Sequence, residues 1–266
     1  MKIYQIFYDE NSMTRLDSSF IPFDNSNSNK FDWFEYSAIR EIFRTNSFSP
    51  DEYVGIFSPK FYKKTGLIGT DVIESLENFD ADVISFSPHF SHIALFKNIF
   101  IQGDNYHPGL LEVCRNLFDK IGLKINLDDL IMDQTRIIFS NYFIAKYSFW
   151  LEYFKFSERI YEIANGESEL AAKLNSTTSY KNKTNIKMKV FVMERLISAV
   201  LTHLNANAAI GFAYTKSNYY HIYGENLRDF LVMDSLKSTY LKTKMKIYLR
   251  MYLEQRKKFI EKISNK

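Results

Sequence analysis

Three polar residues lie where their side chains can move a proton to or from a substrate hydroxyl. Asp104 and His107 fall in a polar segment before a predicted helix, and Glu194 falls on the apolar stripe of a helix predicted over residues 187–204. A carboxylate on such a stripe must be paired, protonated or turned toward a cleft, whereas Arg195 is expected to point away from the stripe. We therefore expect Glu194, Asp104 and His107 to be catalytic residues. The alternatives are a structural ion pair for Glu194 and a capped loop around the other two.

Motifs of several common catalytic sites are absent from the sequence. The chain contains no G-x-G-x-x-G, Walker loop, G-x-S-x-G or H-E-x-x-H, and only nine glycines are available to cradle phosphates. The single cysteine, Cys114, excludes an intramolecular disulfide and an all-cysteine metal site. One D-x-D sequence, formed by Asp80 and Asp82, precedes a predicted strand instead of following it. We expect it to form a solvated turn, and we predict no protein metal site.

Short apolar runs alternate with helical patterns along most of the chain. Strands are predicted over residues 2–8, 53–57, 83–86 and 208–214, and residues 137–145 form either a strand or the start of a helix. Helices are predicted over residues 33–44, 70–77 (with Thr70 as the N-cap), 108–121, 149–164 and 187–204, and polar loops over 24–30, 102–107 and 167–185. This alternation predicts an α/β fold with a mostly parallel, Rossmann-like sheet flanked by helices.

The composition indicates a large folded domain followed by a basic tail. Hydrophobic residues make up 46% of the 266 residues, which is enough for a core that excludes disorder over most of the length. The formal net charge is +3, but residues 236–266 carry +8, so the rest of the chain carries −5. We therefore predict a domain over residues 1–233 and a basic amphipathic C-terminal helix over residues 234–266.

The basic helix is expected either to attach to an anionic membrane surface or to pack against the domain. Lys244 and Gln255 interrupt an apolar stripe along it, which consists of Leu236, Tyr240, Ile247, Met251, Phe259 and Ile263. Only two of its ten basic residues are Arg, so no nucleic-acid partner is expected. With no signal-peptide pattern and no run of 18 apolar residues, we expect a cytoplasmic protein that is peripheral on the inner face of the membrane where this helix attaches.

Five segments of the chain resemble a family of glycosyltransferases. KIYQIFY is similar to the first strand of the Och1-type and capsular-polysaccharide glycosyltransferases, and DWFEYSAIREIF and DEYVGIFSPKF are similar to their following helix and strand. SNYFIAKYSFWLEYFKFSERI and KVFVMERLISAVL resemble their closing pair of segments, in which an apolar strand carries Asn and a later helix carries Glu-Arg-Leu. The resemblance covers most of residues 1–214 and implies the GT-A fold.

The resemblance implies that the chain binds a nucleotide-activated sugar through the ends of its first two predicted strands. It assigns donor binding to Tyr8, Asp9, Ser58 and Lys60. The family usually carries D-x-D, or a His-Tyr-Arg-Arg-like segment in the capsular branch, where this chain reads Ser-Pro-Lys-Phe at residues 58–61. Lys60 is therefore expected to neutralise the donor diphosphate as a point charge. A divalent cation, Mn²⁺ or Mg²⁺, is left open, as is the alternative that the lysine is a plain surface residue.

Two neighbouring lysines and three further polar or aromatic residues complete the expected site. Lys63 or Lys64 would help Lys60, and Trp33, Glu35 and Gln102 would bind the glycan acceptor. The implied function is a glycosyltransferase in the synthesis of bacterial capsule or lipopolysaccharide. The alternative is a non-catalytic relative of the same fold that serves as a sugar-binding or assembly subunit, and a homo-oligomer is left open in either case.

Overall fold

A six-stranded mixed sheet forms the centre of the protein. The computed structural model describes residues 1–26, 31–87, 89–180, 183–211 and 223–265. The described strands are β1 (Lys2–Phe7), β2 (Ile21–Asp24), β3 (Tyr53–Phe57), β4 (Val83–Ser85), β5 (Phe143–Lys146), β6 (Thr177–Tyr180), β7 (Lys183–Lys187) and β8 (Ala208–Ile210). The sheet has the order β2-β1-β3-β5-β4-β8, with β5 antiparallel to both neighbours and the other pairs parallel. Strands β6 and β7 pair with each other as a separate antiparallel sheet. The prediction of an α/β fold with a mostly parallel sheet is confirmed.

Helices of four to nineteen residues flank this sheet. They are α1 (Glu10–Met13), α2 (Glu35–Thr45), α3 (Phe61–Thr65), α4 (Gly69–Asn78), α5 (Phe90–Leu95), α6 (Ile99–Tyr106), α7 (Leu110–Ile121), α8 (Tyr147–Ala164), α9 (Glu169–Asn175), α10 (Met188–His203), α11 (Asn226–Thr243) and α12 (Lys246–Ser264), with a 3₁₀ turn at Phe31–Trp33. Within the described residues, none of these helices is long and apolar enough to cross a membrane.

Strands β1 and β3 lie at the centre of the core because their residues are apolar on both faces. Four consecutive residues of β1 and four of β3 are buried, as is typical of parallel strands covered by helices on both sides. Gln5 is the one polar residue inside β1, and its amide accepts a hydrogen bond from the Asp17 backbone at 2.7 Å. Its Nε2 donates to the carbonyl of Ser58 at 3.4 Å, which ties the loop after β1 to the end of β3.

The segment 137–145, for which the sequence left strand and helix open, contains β5. Phe143, Ile144 and Ala145 are buried between β3 and β4, and the antiparallel direction places the start of β5 at the edge where β1 and β3 end. Trp150 of α8 then donates from Nε1 to the carbonyl of Val54 at 3.0 Å, which fastens α8 to the sheet. This arrangement delivers the residues that precede β5 to the carboxyl edge of the parallel strands.

The polar loop predicted over residues 102–107 is wrong, because most of this segment is helical. Asn98 caps α6 through its side-chain oxygen, which accepts hydrogen bonds from the backbone of Phe100 and Ile101 at 3.0 and 2.9 Å. The buried Ile99 and Phe100 then anchor the helix in the core. The next helix begins at Leu110 after a left-handed glycine, two residues later than predicted.

Three further local predictions are corrected by the structure. The polar segment 167–185 contains α9, which Ser168 caps by accepting from the Ala171 backbone at 3.1 Å, and the strands β6 and β7. Thr70 lies inside α4, since that helix starts at Gly69. The short edge strand β2 was not predicted because Pro22 interrupts its pattern. Residues 27–30 of the predicted loop 24–30 and residues 212–214 of the predicted strand 208–214 lie outside the described part of the chain.

The C-terminal region is two helices, so the prediction of one continuous helix from residue 234 is wrong. Lys244 adopts a left-handed conformation (φ 58°) that ends α11, and α12 begins two residues later and packs along α11. Helix α11 also packs against α5, where the buried Lys237 donates to the carbonyls of Ile93, Phe96 and Met132. The hairpin of α11 and α12 is therefore held to the body through a buried ammonium group.

Candidate active site at the carboxyl edge of the sheet

The connections of the central strands reverse direction between β1 and β3. The chain leaves β1 toward β2 on one side of the sheet and leaves β3 toward β4 on the other. In open α/β sheets, the crevice at such a switch point, beyond the carboxyl ends of the strands, is where ligands bind. Tyr8 and Asp9 follow β1 here, Ser58 follows β3, and residues 140–142 precede the antiparallel β5. The candidate site is built around this point.

Glu35 occupies the centre of the cluster. It is the first residue of α2, and its Oε2 accepts a hydrogen bond from Nδ2 of Asn141 at 3.0 Å. Burial raises the pKa of Glu35 above its ordinary value, and the nearby Glu194 charge adds to the rise. The Asn141 hydrogen bond and the charges of Lys64 and Lys60 act in the opposite direction on the pKa. Two carboxylates and two ammonium groups therefore converge at this edge.

Glu194 reaches the same edge from helix α10. Its side chain is 29% exposed, and its Oε1 accepts from the Ser140 backbone at 3.0 Å, while Oε2 lies 3.9 Å from Nη1 of Arg195. The expectation that Arg195 points away from the apolar side is wrong. Arg195 is buried and donates to the carbonyls of Ile99 and Phe191 at 3.2 and 3.0 Å. Helix α10 is buried on nearly all sides, so both charged residues need partners within the protein.

Lysine side chains supply the positive charge of the site. Nζ of Lys64 donates to the hydroxyl of Ser140 at 2.8 Å and lies 5.3 Å from the centre of the Tyr142 ring. Lys60 is exposed at the residue before α3, and its charge acts on Glu35. Lys63 lies between them in sequence and is exposed. Positive charge held at this edge suits a phosphate-bearing ligand.

Strained backbone conformations concentrate around the two carboxylates. The described chain has five non-glycine residues with positive φ, and three of them are Phe34 (50°), Ser140 (62°) and Asn141 (55°). Phe34 immediately precedes Glu35, Ser140 holds Glu194, and Asn141 holds Glu35. Such conformations are costly and persist where the surrounding structure enforces them, which is frequent at active sites.

The remaining donor-binding candidates line the same edge. The Ser58 and Tyr142 hydroxyls are 2.8 Å apart, and both side chains are buried. Tyr8 is 43% exposed, and burial together with the neighbouring Asp9 raises its pKa. Asp9 is exposed and caps α1, since its Oδ1 accepts from the Ser12 backbone at 2.6 Å. Hydrogen bonds from Ser12 lower the pKa of Asp9.

Three of the residues expected from the sequence have partners that fix them in other roles. The Asp104 carboxylate accepts from the backbone of Gly109 and Leu111, both at 3.0 Å, and so caps the start of α7. His107 is buried with its ring 3.6 Å from that of Phe191. Gln102 is also buried, between Arg195 and His92, at 2.9 Å from each. None of these contacts joins them to Glu35 or Glu194 directly.

Trp33 likewise belongs to the core and not to the site. It is 3% exposed, its ring lies 4.9 Å from that of Tyr161, and Nζ of Lys189 lies 4.3 Å from its ring centre. In the D-x-D sequence, Asp80 is exposed as expected and pairs with Lys146 at 3.0 Å, whereas Ala81 is buried and Asp82 is half-buried. Over the described residues, no group of three or more His, Cys, Asp or Glu converges to hold a metal ion.

Searches against models of known protein families, curated proteins and solved structures find no match for this chain.

Proposed function

We propose that the chain is a glycosyltransferase that transfers a sugar from a nucleoside diphosphate to a hydroxyl of a glycan acceptor. The observation that carries the proposal is the position of Glu35. Its raised pKa, the second carboxylate of Glu194 and the two lysines meet at the switch point between β1 and β3. A carboxylate whose pKa is shifted toward neutrality suits a general base, and positive charge beside it suits a leaving diphosphate.

In this proposal the acceptor oxygen attacks the anomeric carbon of the donor sugar. The new carbon–oxygen bond forms as the bond between that carbon and the diphosphate oxygen breaks, and the diphosphate leaves with the electron pair. Glu35 accepts the proton of the acceptor hydroxyl. Lys60 and Lys64 stabilise the negative charge that grows on the leaving oxygen, as preorganised charges do most effectively.

Asn141 and Glu194 act through Glu35 in this scheme. The Asn141 amide fixes one oxygen of Glu35 and leaves the other to the substrate. The negative charge of Glu194 raises the pKa of Glu35, and the Glu194 carboxylate is itself held by the Ser140 backbone. The sequence assigned Glu35 to the acceptor and Glu194 to catalysis, and the geometry favours Glu35 as the base with Glu194 as its electrostatic neighbour. Synthesis of bacterial surface polysaccharide is the process to which we assign the reaction, on the resemblance of the five segments.

A ligand screen tests the proposal. Thermal unfolding is measured with UDP-, GDP-, CMP- and dTDP-sugars, each with Mn²⁺ and with EDTA, because a ligand of the native state raises the midpoint according to its affinity. At least one of the UDP-, GDP- and dTDP-sugars is expected to stabilise the protein, and the corresponding nucleoside monophosphate less so, whereas a CMP-sugar carries no diphosphate and is the contrast. Equal stabilisation by inorganic diphosphate alone, or no effect of any nucleotide sugar, would contradict the proposal.

The same screen tests whether donor binding depends on a divalent cation. The lysine side chains are expected to neutralise most of the diphosphate charge in place of a metal ion, so EDTA is expected to change the affinity for the nucleotide sugar by only a few-fold. Strict Mn²⁺ dependence that is lost in Asp82→Asn would instead place the donor at the D-x-D turn.

A further inference from the structure

The turn between α11 and α12 differs in its surface from the rest of the C-terminal hairpin. All six residues from 242 to 247 are exposed, whereas Phe230, Met233 and Lys237 of α11 are buried, with Lys237 bound to carbonyls of the body. The hairpin is therefore anchored at its base, and its turn extends into solvent. We define the hairpin tip as residues 242–251.

The hairpin tip combines unpaired positive charge with exposed apolar side chains. Met245, Ile247 and Met251 are 54, 46 and 44% exposed. The tip also contains four basic residues and no Asp or Glu, and within the described chain none of the four makes an ion pair: Lys242, Lys244, Lys246 and Arg250. Apolar side chains surrounded by cations suit the interface of an anionic bilayer, where the cations meet lipid headgroups and the apolar groups enter the acyl boundary.

The opposite end of α12 is basic too, but two of its lysines have acidic partners. Lys257 lies 3.9 Å from Glu261, and Lys262 lies 3.3 Å from Asp229. Phe259 is buried against α11, whereas Ile263, one turn further on, is 47% exposed. The tip differs from this end in that all four of its cations lack an acidic partner within the described residues.

The turn is held in a defined shape. Lys244 adopts the left-handed conformation, and its backbone donates to the carbonyl of Tyr240 at 2.8 Å. Met245 donates from its backbone to the hydroxyl of Thr243 at 3.3 Å. A fixed turn presents Met245 and Ile247 without the entropic cost of ordering a flexible loop on binding.

We propose that the hairpin tip docks the protein reversibly onto a membrane surface that contains anionic lipids. The three apolar side chains enter the interface only shallowly, and the four cations supply most of the affinity. This differs from the continuous amphipathic helix expected from the sequence, because Lys244 ends α11 and Phe259 of the expected apolar stripe is buried. The inference is independent of the reaction assigned to the active site.

Co-sedimentation of the full chain with vesicles tests the proposal. Vesicles of phosphatidylcholine with 30% phosphatidylglycerol, a composition chosen at about the charge density of an anionic leaflet, are compared with pure phosphatidylcholine. Binding is expected only to the anionic vesicles and is expected to weaken as salt is raised from about 0.05 to 0.5 M. Equal binding to neutral vesicles, or no binding to either, would overturn the proposal.

Two double variants with the same change in net charge, one in the tip and one at the opposite end of α12, test which surface of the hairpin binds the vesicles. Lys244→Gln with Lys246→Gln is expected to weaken vesicle binding about 30-fold, since each cation near an anionic surface contributes about a fivefold factor. Lys257→Gln with Lys262→Gln is expected to change binding by less than about threefold, because these lysines already face acids. Equal losses in the two variants would indicate a general charge effect and overturn the tip as the docking surface.

The apolar side chains are tested separately. Ile247→Ser with Met251→Ser, which keeps every charge, is expected to weaken anionic-vesicle binding several-fold. Unchanged binding by this variant would show that apolar insertion has no part in docking. Sedimentation velocity of the same proteins without lipid tests whether the tip instead binds another copy of this chain. A wild-type dimer that dissociates in the serine variant would mean that it does, and would contradict membrane docking.

Discussion

Nδ2 of Asn141 donates a hydrogen bond of 3.0 Å to Oε2 of Glu35, although 106 residues separate the two in the chain. The backbone of Asn141 is left-handed, and Glu35 follows a residue, Phe34, whose φ is also positive. Each partner of the hydrogen bond is thus positioned by a backbone conformation of positive φ, which is energetically unfavourable for a non-glycine residue. Predictions about catalysis follow from this pair and from the charges around it.

Glu35→Gln is expected to reduce turnover by a factor of about 100 to 10,000, because the neutral amide cannot accept the acceptor's proton. Donor affinity is expected to change by less than about threefold, since the lysines remain in place. Nucleotide release and calorimetric donor binding are measured on the same preparation. Glu41→Gln is the matched control, being an exposed glutamate of the same helix, and wild-type turnover is expected for it. Turnover above one tenth of wild type in Glu35→Gln would remove Glu35 from the role of base.

Lys64→Gln is expected to lower donor affinity by about tenfold or more, because a hydrogen bond to a charged group typically contributes about 1.5–3 kcal/mol. Lys60→Gln is expected to lower it as well. Lys63→Gln changes the same charge on the same short helix and is expected to stay within about twofold of wild type. Isothermal titration calorimetry with the nucleotide sugar found in the screen provides the comparison. Equal effects at the two α3 positions, 63 and 64, would mean that only the net charge of the surface matters.

Lys237→Met is expected to destabilise the protein by about 3 kcal/mol, because it leaves the buried Asp234 and three backbone carbonyls without their cation. Burial raises the pKa of Asp234, and loss of the Lys237 charge raises it further, so part of the loss is relieved at low pH as Asp234 becomes neutral. Urea unfolding at pH 7.5 and pH 5 is the measurement. Lys242→Met, at an exposed position of the same helix, is expected to change the unfolding free energy by no more than about 0.5 kcal/mol. A loss at position 237 as small as that would contradict the anchoring role of the ammonium group.

The central strands and the long helices were predictable from local pattern alone. Strand β3 and the end of α7 fall at the predicted residues, because apolar runs and terminal glycine are local signals. The break at Lys244 was not predictable: no glycine or proline marks it, and packing of α12 on α11 compensates a left-handed lysine. The loop assigned to residues 102–107 failed because their polar side chains have partners on distant helices, such as Arg195 for Gln102.

The candidate site was only partly predictable, because several of its contacts join residues that are far apart in the chain. The ends of the first two predicted strands place Tyr8, Asp9, Ser58 and Lys60 at one edge of the sheet, where the resemblance implies donor binding. Ser140 and Tyr142 were missed because an antiparallel β5 reverses the edge at which its flanking residues lie. The pairing of Glu35 with Asn141 depends on tertiary contact and on positive φ values, and a single sequence carries no signal of either. An asparagine before an apolar strand was the only hint of Asn141.

The pH dependence of kcat/KM tests the central claim, that Glu35 is the general base, most directly. A base works only when ionised, so activity falls as pH decreases through its pKa, and the raised pKa places this acid limb above the ordinary value for Glu. Glu194→Gln removes a charge that raises the pKa of Glu35 and is expected to shift the limb to lower pH. Lys64→Gln removes a charge that lowers it and is expected to shift the limb to higher pH. A limb at the ordinary Glu value, or one that the two variants move in the same direction or leave in place, would contradict the account.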